Sequence, residues 1–353
     1  MEFGVPREVR DLEQRVGLTP AGAFALTSAG HRVYVEHEAG ASAGFRDDDY
    51  RHVGADILYS PEEVYGRAQV IAKMQRLHEK EYPYLQSGQT ILSFMHLAVA
   101  SRDLAETLQS SQITAIAYEE IQNDDGSLPV LFPTSLVAGR MAPIIAGQLL
   151  ESANGGRGIL LSGIPGVPPA AVVIMGAGAV GVSATRAFVG VGAQVTVLDY
   201  QYSKLDALDR EFSGRITTLL STRYNLERVL RFADVVVGAV LQPGQRAPIL
   251  LTRKMIRTMR PRAVLIDFSI DQGGCAETSR PTTHRDPTFV EDGVIHYCVP
   301  NVPARVARTA SHALTNAALP YLLDIGAHGV AAAMEANPAL KRGLQVYQGK
   351  IAE

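Results

Sequence analysis

The segment "AVVIMGAGAVGVSATRAFVGVGAQVTVLDY" constrains the fold of this chain more than any other. An apolar run that reads as a strand enters Gly176-x-Gly178-x-x-Gly181, a helix-forming stretch follows, and a second strand ends on Asp199. Gly176 permits the tight turn, and Gly178 lets an anionic ligand approach the backbone at the helix N-terminus. Gly181 lets helix and strand pack closely, and Ala179 and Val180 complete the loop. A carboxylate about 20 residues on accepts ribose hydroxyls and repels a 2′-phosphate. Strand, helix and acid in this order predict a dinucleotide site, with NAD preferred over NADP.

Strand-like and helix-like segments alternate through the rest of the chain, which predicts an α/β protein with mainly parallel sheets. "FGVP" reads as a first strand. "TPAGAFALTSAG" reads as a helix, with Thr19 as N-cap, Pro20 at the first helical position and Gly30 at the stop. "RVYVEH", "QVIAKM", "TILSFM" and "ITAIAY" are further strands, and "SRDLAETLQSS" is a helix. "SLVAGRMAPIIAGQLLE" reads as a long apolar helix. After the Gly-rich "NGGRGILLSGIPGVPPA" come the strands "AVVIMG", "AQVTVLD", "RITTLL", "ADVVVGAV" and "AVLIDFSI". The apolar stretch from Ala310 to Ala336 is helical in pattern, and Pro320 is expected to kink or break it. The predicted fold is two Rossmann-like, doubly wound domains with a cleft between them. Residues 1–130 with 305–353 form the substrate domain, and residues 131–304 form the NAD-binding domain.

At 353 residues a two-domain chain is expected, since roughly 100–200 residues make one domain. The net charge of −3, with both signs interspersed, gives no basic stripe for nucleic acid or an anionic membrane. No stretch reads as a signal peptide or a membrane span. The two cysteines, Cys275 and Cys298, form no C-x-x-C pair, which argues against a disulfide framework or zinc and fits a reducing cytoplasm. The nine histidines do not cluster at ligand spacing, so no metal is expected. Ligands of open α/β sheets bind beyond the carboxyl ends of the strands, which nominates Ser221, Val240, Leu241 and Asp271. Asp47, Asp48, Asp49 and the "LHEKEY" run read as solvated surface or helix N-terminal acids.

"RVGLTPAG", "SFMHLA", "AYEEIQ", "VAGRMA", "GGRGILLSGIPGV", "GAVLQPGQRAP", "IDQGG", "SRPTTH", "ALTNAALPYL" and "NPALKRGL" resemble, in order, the blocks of bacterial alanine dehydrogenases, over nearly the whole chain. The resemblance implies a homo-oligomer, hexameric in that family, that interconverts L-alanine with pyruvate and ammonium using NAD. It implies NAD contacts at Ser135, Gly178, Gly181, Asp199, Lys204, Ser221 and Val299, with Asp271 and Asn301 at the nicotinamide and substrate end. Arg15 matches the arginine that grips the substrate carboxylate, a task suited to a guanidinium. His96 matches the general acid/base, and an imidazole titrating near neutrality suits proton transfer; a hydrogen-bonded core histidine is the plainer alternative.

The resemblance breaks in "QVIAKMQRLHEKEY". The family reads K-V-K-E-P there, and its second, catalytic lysine falls on Gln75, with Arg76 and Leu77 following. Thr134 and Leu136 likewise stand where the family has methionine and an acid. Removing such a donor commonly costs about 3 kcal/mol of transition-state stabilisation, and the Gln75 amide still donates but without charge assistance. The leading expectation is therefore an NAD-dependent dehydrogenase or imine reductase whose substrate is not alanine. The alternatives are an ordinary alanine dehydrogenase in which Lys73 or Arg76 substitutes, and a non-catalytic NAD-binding oligomeric module.

Overall fold

The structure is a computed structural model and describes residues 1–97, 100–242 and 245–352. It divides into two compact units, Met1–Thr134 with Pro303–Glu353, and Ser135–Val302. Both are Rossmann-like.

In the first unit the order is β1 (Glu2–Val5), α1 (Pro20–Ser28), β2 (Arg32–Glu36), α2 (Asp47–Arg51), β3 (Asp56–Leu58), α3 (Pro61–Arg67), β4 (Val70–Gln75), β5 (Thr90–Phe94), α4 (Arg102–Ser110) and β6 (Thr114–Ala117). Helix α5 (Leu131–Leu150) starts four residues before the serine that opens its apolar stretch. The second unit contains β7 (Ala171–Met175), α6 (Ala179–Gly190), β8 (Gln194–Asp199), α7 (Tyr202–Phe212), β9 (Thr217–Leu220), α8 (Arg223–Leu230), β10 (Val235–Gly238), α9 (Arg253–Ile256), β11 (Val264–Asp267), β12 (Thr288–Glu291) and β13 (Val294–Tyr297). The chain then returns to the first unit with α10 (Ala307–His328), α11 (Val330–Ala336), α12 (Pro338–Arg342), β14 (Leu344–Tyr347) and β15 (Lys350–Ile351).

The first sheet runs β15-β14-β6-β5-β4-β1-β2-β3 and the second β12-β13-β11-β10-β7-β8-β9. Strands β12, β14 and β15 join antiparallel, and the other pairings are parallel. In each sheet the order reverses at the first strand, between β1 and β4 and between β7 and β10. Such a reversal opens a crevice at the carboxyl ends of those strands.

The strands are nearly continuous apolar runs because both faces are covered. On one face of the first sheet Phe3, Val33, Val70, Ala72 and Leu92 pack with Leu26, Leu314, Leu322 and Ile325 from α1 and α10. On the other, Ile71, Ile91 and Ala115 pack with Leu104 and Leu108 of α4. Each fully buried aliphatic side chain stabilises by about 1.5–3 kcal/mol relative to exposure.

Two local rules fare differently from expectation. Thr19 occupies the N-cap position of α1, but its hydroxyl makes no capping bond; its amide donates instead to Thr315 Oγ1 of α10 at 3.0 Å. Pro320 lies inside α10, which continues through it. The break comes at Gly329 (φ 80°, ψ 160°), where the chain turns by 119° into α11. Proline's φ is already helical, and the loss of one backbone hydrogen bond is offset by the buried face of α10. The backbone angles at Gly329 are open to glycine almost alone. Gly329→Ala is expected to destabilise the protein by about 1–3 kcal/mol in equilibrium denaturation, with Pro320→Ala causing no loss.

Candidate active site

At the crevice of the first unit, the loop after β1 meets the end of β4. Gly17 allows this contact, since a Cβ there would stand 2.2 Å from the Ala72 carbonyl oxygen. Arg10 adds a tie, with Nε donating to Arg76 O (3.3 Å) and Nη2 to Leu77 O (3.1 Å). In the same loop Glu13 accepts from Arg15 three times, from Nε to Oε1 at 2.7 Å, from Nη2 to Oε2 at 2.6 Å and from the backbone amide to Oε1 at 3.1 Å, and both side chains are buried. Gln75, the last residue of β4, donates from Nε2 to Glu13 Oε2 at 3.2 Å. The fold thus brings Arg15 and Gln75 together through Glu13, which sequence reasoning passed over. A paired, planar guanidinium held in one orientation is suited to recognising a carboxylate.

Directly behind Gln75, Lys73 is fully buried between two acids. Its Nζ lies 2.7 Å from Glu81 Oε1 and 3.2 Å from Glu8 Oε2. Burial opposes its charge, but Glu8 and Glu81 more than compensate and raise its pKa. Glu81 also accepts from Tyr65 Oη (2.9 Å) and His78 N (2.8 Å). This corrects the reading of "LHEKEY" as surface: Glu81 is interior, because it neutralises a lysine that the sheet buries. The ammonium of Lys73 is committed to these carboxylates and has no exposed surface.

His96 follows the neighbouring strand, and Phe94 of β5 is the register partner of Gln75. His96 has left the strand, with φ 46°, yet its ring still stacks on Phe94 (centroids 6.2 Å, planes 12° apart). Glu119 fixes this turn by accepting from the amides of Met95 (3.1 Å) and His96, and its Oε1 stands 3.8 Å from His96 Nδ1. The ring is partly exposed, unlike a core histidine. Thr134 is buried in the first turn of α5 and donates to Leu131 O at 2.8 Å.

The crevice of the second unit is lined by backbone. A Cβ on Gly176 (φ 102°) would lie 2.3 Å from Ala239 O, and one on Gly181 would lie 1.8 Å from Gly176 O. Gly178, the N-cap of α6, has nothing among the described residues within 4 Å of the corresponding position, and none of their side chains caps the first turn, which contains Ala179 and Val180. Here a diphosphate fits: open space at a helix N-terminus whose amides favour an anion. Asp199 accepts from Ala177 N (2.7 Å) and Gln201 N (2.8 Å), so it also braces the glycine loop. A carboxylate has about four acceptor sites, which leaves it able to bind ribose as well. Ser221 N donates to Asp199 O (2.9 Å), and Lys204 lies in the first turn of α7, half-buried.

On the other side, Ser269 stitches two loops, donating to Val240 O (2.8 Å) and accepting from Val240 N (3.1 Å). Leu241 is exposed beside it. Asp271 does not sit directly at a strand end: β11 stops at Asp267, and Asp271 lies in the 3-10 turn Phe268–Gln272. The cause is Asp267, whose buried carboxylate accepts from Ser269 N (2.9 Å), Cys275 N (2.8 Å) and Ser279 Oγ (2.7 Å) and folds the chain out of the sheet. Asn301 (φ 63°) donates its amide to Asp271 Oδ2 at 3.4 Å, and Val299 is buried nearby in sequence. The residues present fit NAD. Gly178→Ala is expected to fold with unchanged stability but to weaken NADH binding in a fluorescence titration; Gly181→Ala, which drives Cβ into Gly176 O, should lower the melting temperature.

Two family models match the chain, the alanine dehydrogenase/PNT N-terminal domain over residues 4–138 and the C-terminal domain over residues 142–353. The alanine dehydrogenase of Halomonas elongata is 46% identical over 351 residues, covering 99% of this chain and 94% of the relative. That of Mycobacterium tuberculosis is 45% identical over 351 residues with the same coverage. A solved L-alanine dehydrogenase superposes with a TM-score of 0.94 at 42% identity, covering 100% of this chain and 97% of the other. A transhydrogenase from Sinorhizobium meliloti shares the fold, with a TM-score of 0.82 at 22% identity.

These findings correct the expectation of a diverged enzyme whose substrate is not alanine. That expectation rested chiefly on Gln75 and a few neighbours, whereas the likeness to alanine dehydrogenases extends over the full chain. Gln75 is also no vacant position, since its amide joins the Glu13–Arg15 pair. With NAD as its cofactor, the chain belongs to the alanine dehydrogenase/PNT family.

Proposed function

We propose that this protein is an L-alanine dehydrogenase, interconverting L-alanine, water and NAD with pyruvate, ammonium, NADH and a proton. The observation that carries the reading is the buried Arg15–Glu13 pair, joined by half-buried Gln75, at a strand-order reversal, in a chain similar to alanine dehydrogenases along its whole length. Bound NAD supplies the acceptor for the hydrogen that leaves Cα with its electron pair. The glycine loop and Asp199, with Lys204 after it, would hold the diphosphate and ribose, Ser221 would lie on the adenine side, and Ser135, Val240, Leu241 and Val299 would make further cofactor contacts. Asp271 and Asn301 serve the nicotinamide and substrate end.

Arg15 receives the substrate carboxylate. A guanidinium has five N–H donors, so one group serves both Glu13 and the substrate. The Gln75 amide and the Thr134 hydroxyl orient the polar end of the substrate, and His96 moves the proton that exchange of amine for carbonyl requires. In this reading the protein works as a homo-oligomer, a hexamer by likeness to its family, which light scattering measures.

Oxidation of NADH should require pyruvate and ammonium together. Turnover confined to larger oxo acids or cyclic imines would contradict the assignment. His96→Ala should lower kcat by about 10²–10⁴-fold, the usual share of a general acid/base. Arg15→Lys should raise KM for pyruvate while leaving NADH binding unchanged.

A further inference from the structure

Glu8 is a buried acid that the reaction does not use. Its Oε1 accepts the amide protons of Met74 (2.7 Å) and Gln75 (3.4 Å), and its Oε2 faces Lys73. Those amides lie where β4 loses register with β5, between Ala72 and Gln75. Backbone amides at such an irregular step need an acceptor from elsewhere. The contacts continue outward, because Gln75 donates to Glu13 and Glu13 chelates Arg15.

We propose that Glu8 is a positioning residue for substrate binding: held by Lys73, it clamps the end of β4 so that Gln75, Glu13 and Arg15 stand ready to receive a small 2-oxo or 2-amino carboxylate. The proposal rests on reading Arg15 as the carboxylate site. Burial, partly countered by Lys73, pushes the Glu8 carboxyl up to about 7. The charged and titratable groups acting on this cluster are Lys73 on β4, Glu13 on the same loop, Glu81 after β4, Tyr65 on α3, Tyr118 after β6 and Glu36 at the end of β2. A protonated Glu8 is a weaker acceptor for the β4 amides and a poorer partner for Lys73. Substrate affinity should therefore fall as pH drops through neutrality.

The test compares the full-length protein with Glu8→Gln, which keeps the shape of the side chain, and Glu8→Ala. Steady-state assays from pH 6 to 8 are paired with calorimetric titration of pyruvate into the NADH-loaded protein and with melting temperatures. Glu8→Gln should raise KM and Kd for pyruvate about tenfold, consistent with loss of one charge-assisted hydrogen bond, with kcat and NADH affinity near wild type. It should also flatten the pH dependence of KM, and amide exchange at Met74 and Gln75 should quicken. Unchanged KM and pH profile in Glu8→Gln would overturn the proposal. So would a parallel loss of kcat, NADH affinity and stability, which marks a purely structural role. Wild-type protein that binds pyruvate without turning it over would instead refute the assigned reaction, and the variants' pyruvate Kd would still decide the role of Glu8.

Discussion

In both units the sheet grows to one side of its first strand and then to the other. At the carboxyl ends of β1 and β7 the chain must therefore leave a gap that side chains or backbone have to line. The two gaps are lined in opposite ways. The second unit uses hydrogen atoms and amides: Gly176 and Gly181 pass so close to neighbouring carbonyls that any side chain would collide. The first unit uses ionisable groups, with Glu8, Glu13, Arg15, Lys73 and Glu81 all buried within one loop, one strand and one short turn. Bare backbone at a helix end suits a diphosphate; a fixed guanidinium suits a small carboxylate.

Burying that many charges is costly unless each has a partner, and here each partner also sets geometry. Lys73 holds Glu8 and Glu81, Glu8 holds the amides at the end of β4, and Glu13 holds both Arg15 and Gln75. Removing one partner leaves an uncompensated charge, so the cluster is expected to be rigid. Asp267 plays the corresponding part in the second unit, where one carboxylate with three strong donors shapes the turn that carries Asp271.

What could be read in the sequence was what is local. The glycine loop, α6 and Asp199 lie within one βαβ stretch, and each residue type there has a single physical reason to be present. The strands were legible because sheets covered on both faces need unbroken apolar runs. The acids were not. Glu81 looked like surface because its partner Lys73 lies eight residues away on β4, and only the folded chain brings the two together in the interior. Glu8 and Glu13 carried a weaker signal, as acids packed closely after a strand end and, for Glu13, two residues from Arg15. Pro320 misled because a local rule about helix interiors was outweighed by burial along α10, while Gly329 carried the break. Gln75 misled in another way: one exchanged side chain was given more weight than likeness along the whole chain, and the amide proved to be part of the Glu13–Arg15 cluster.

The most direct measurement follows the hydrogen on Cα. L-alanine carrying deuterium at Cα is incubated with the protein and NAD, and the reduced cofactor is examined by mass spectrometry. Direct transfer predicts NADH that carries one deuterium, formed together with pyruvate and ammonium. Unlabelled NADH, or no NADH from alanine under conditions where another amino acid yields it, would contradict the account.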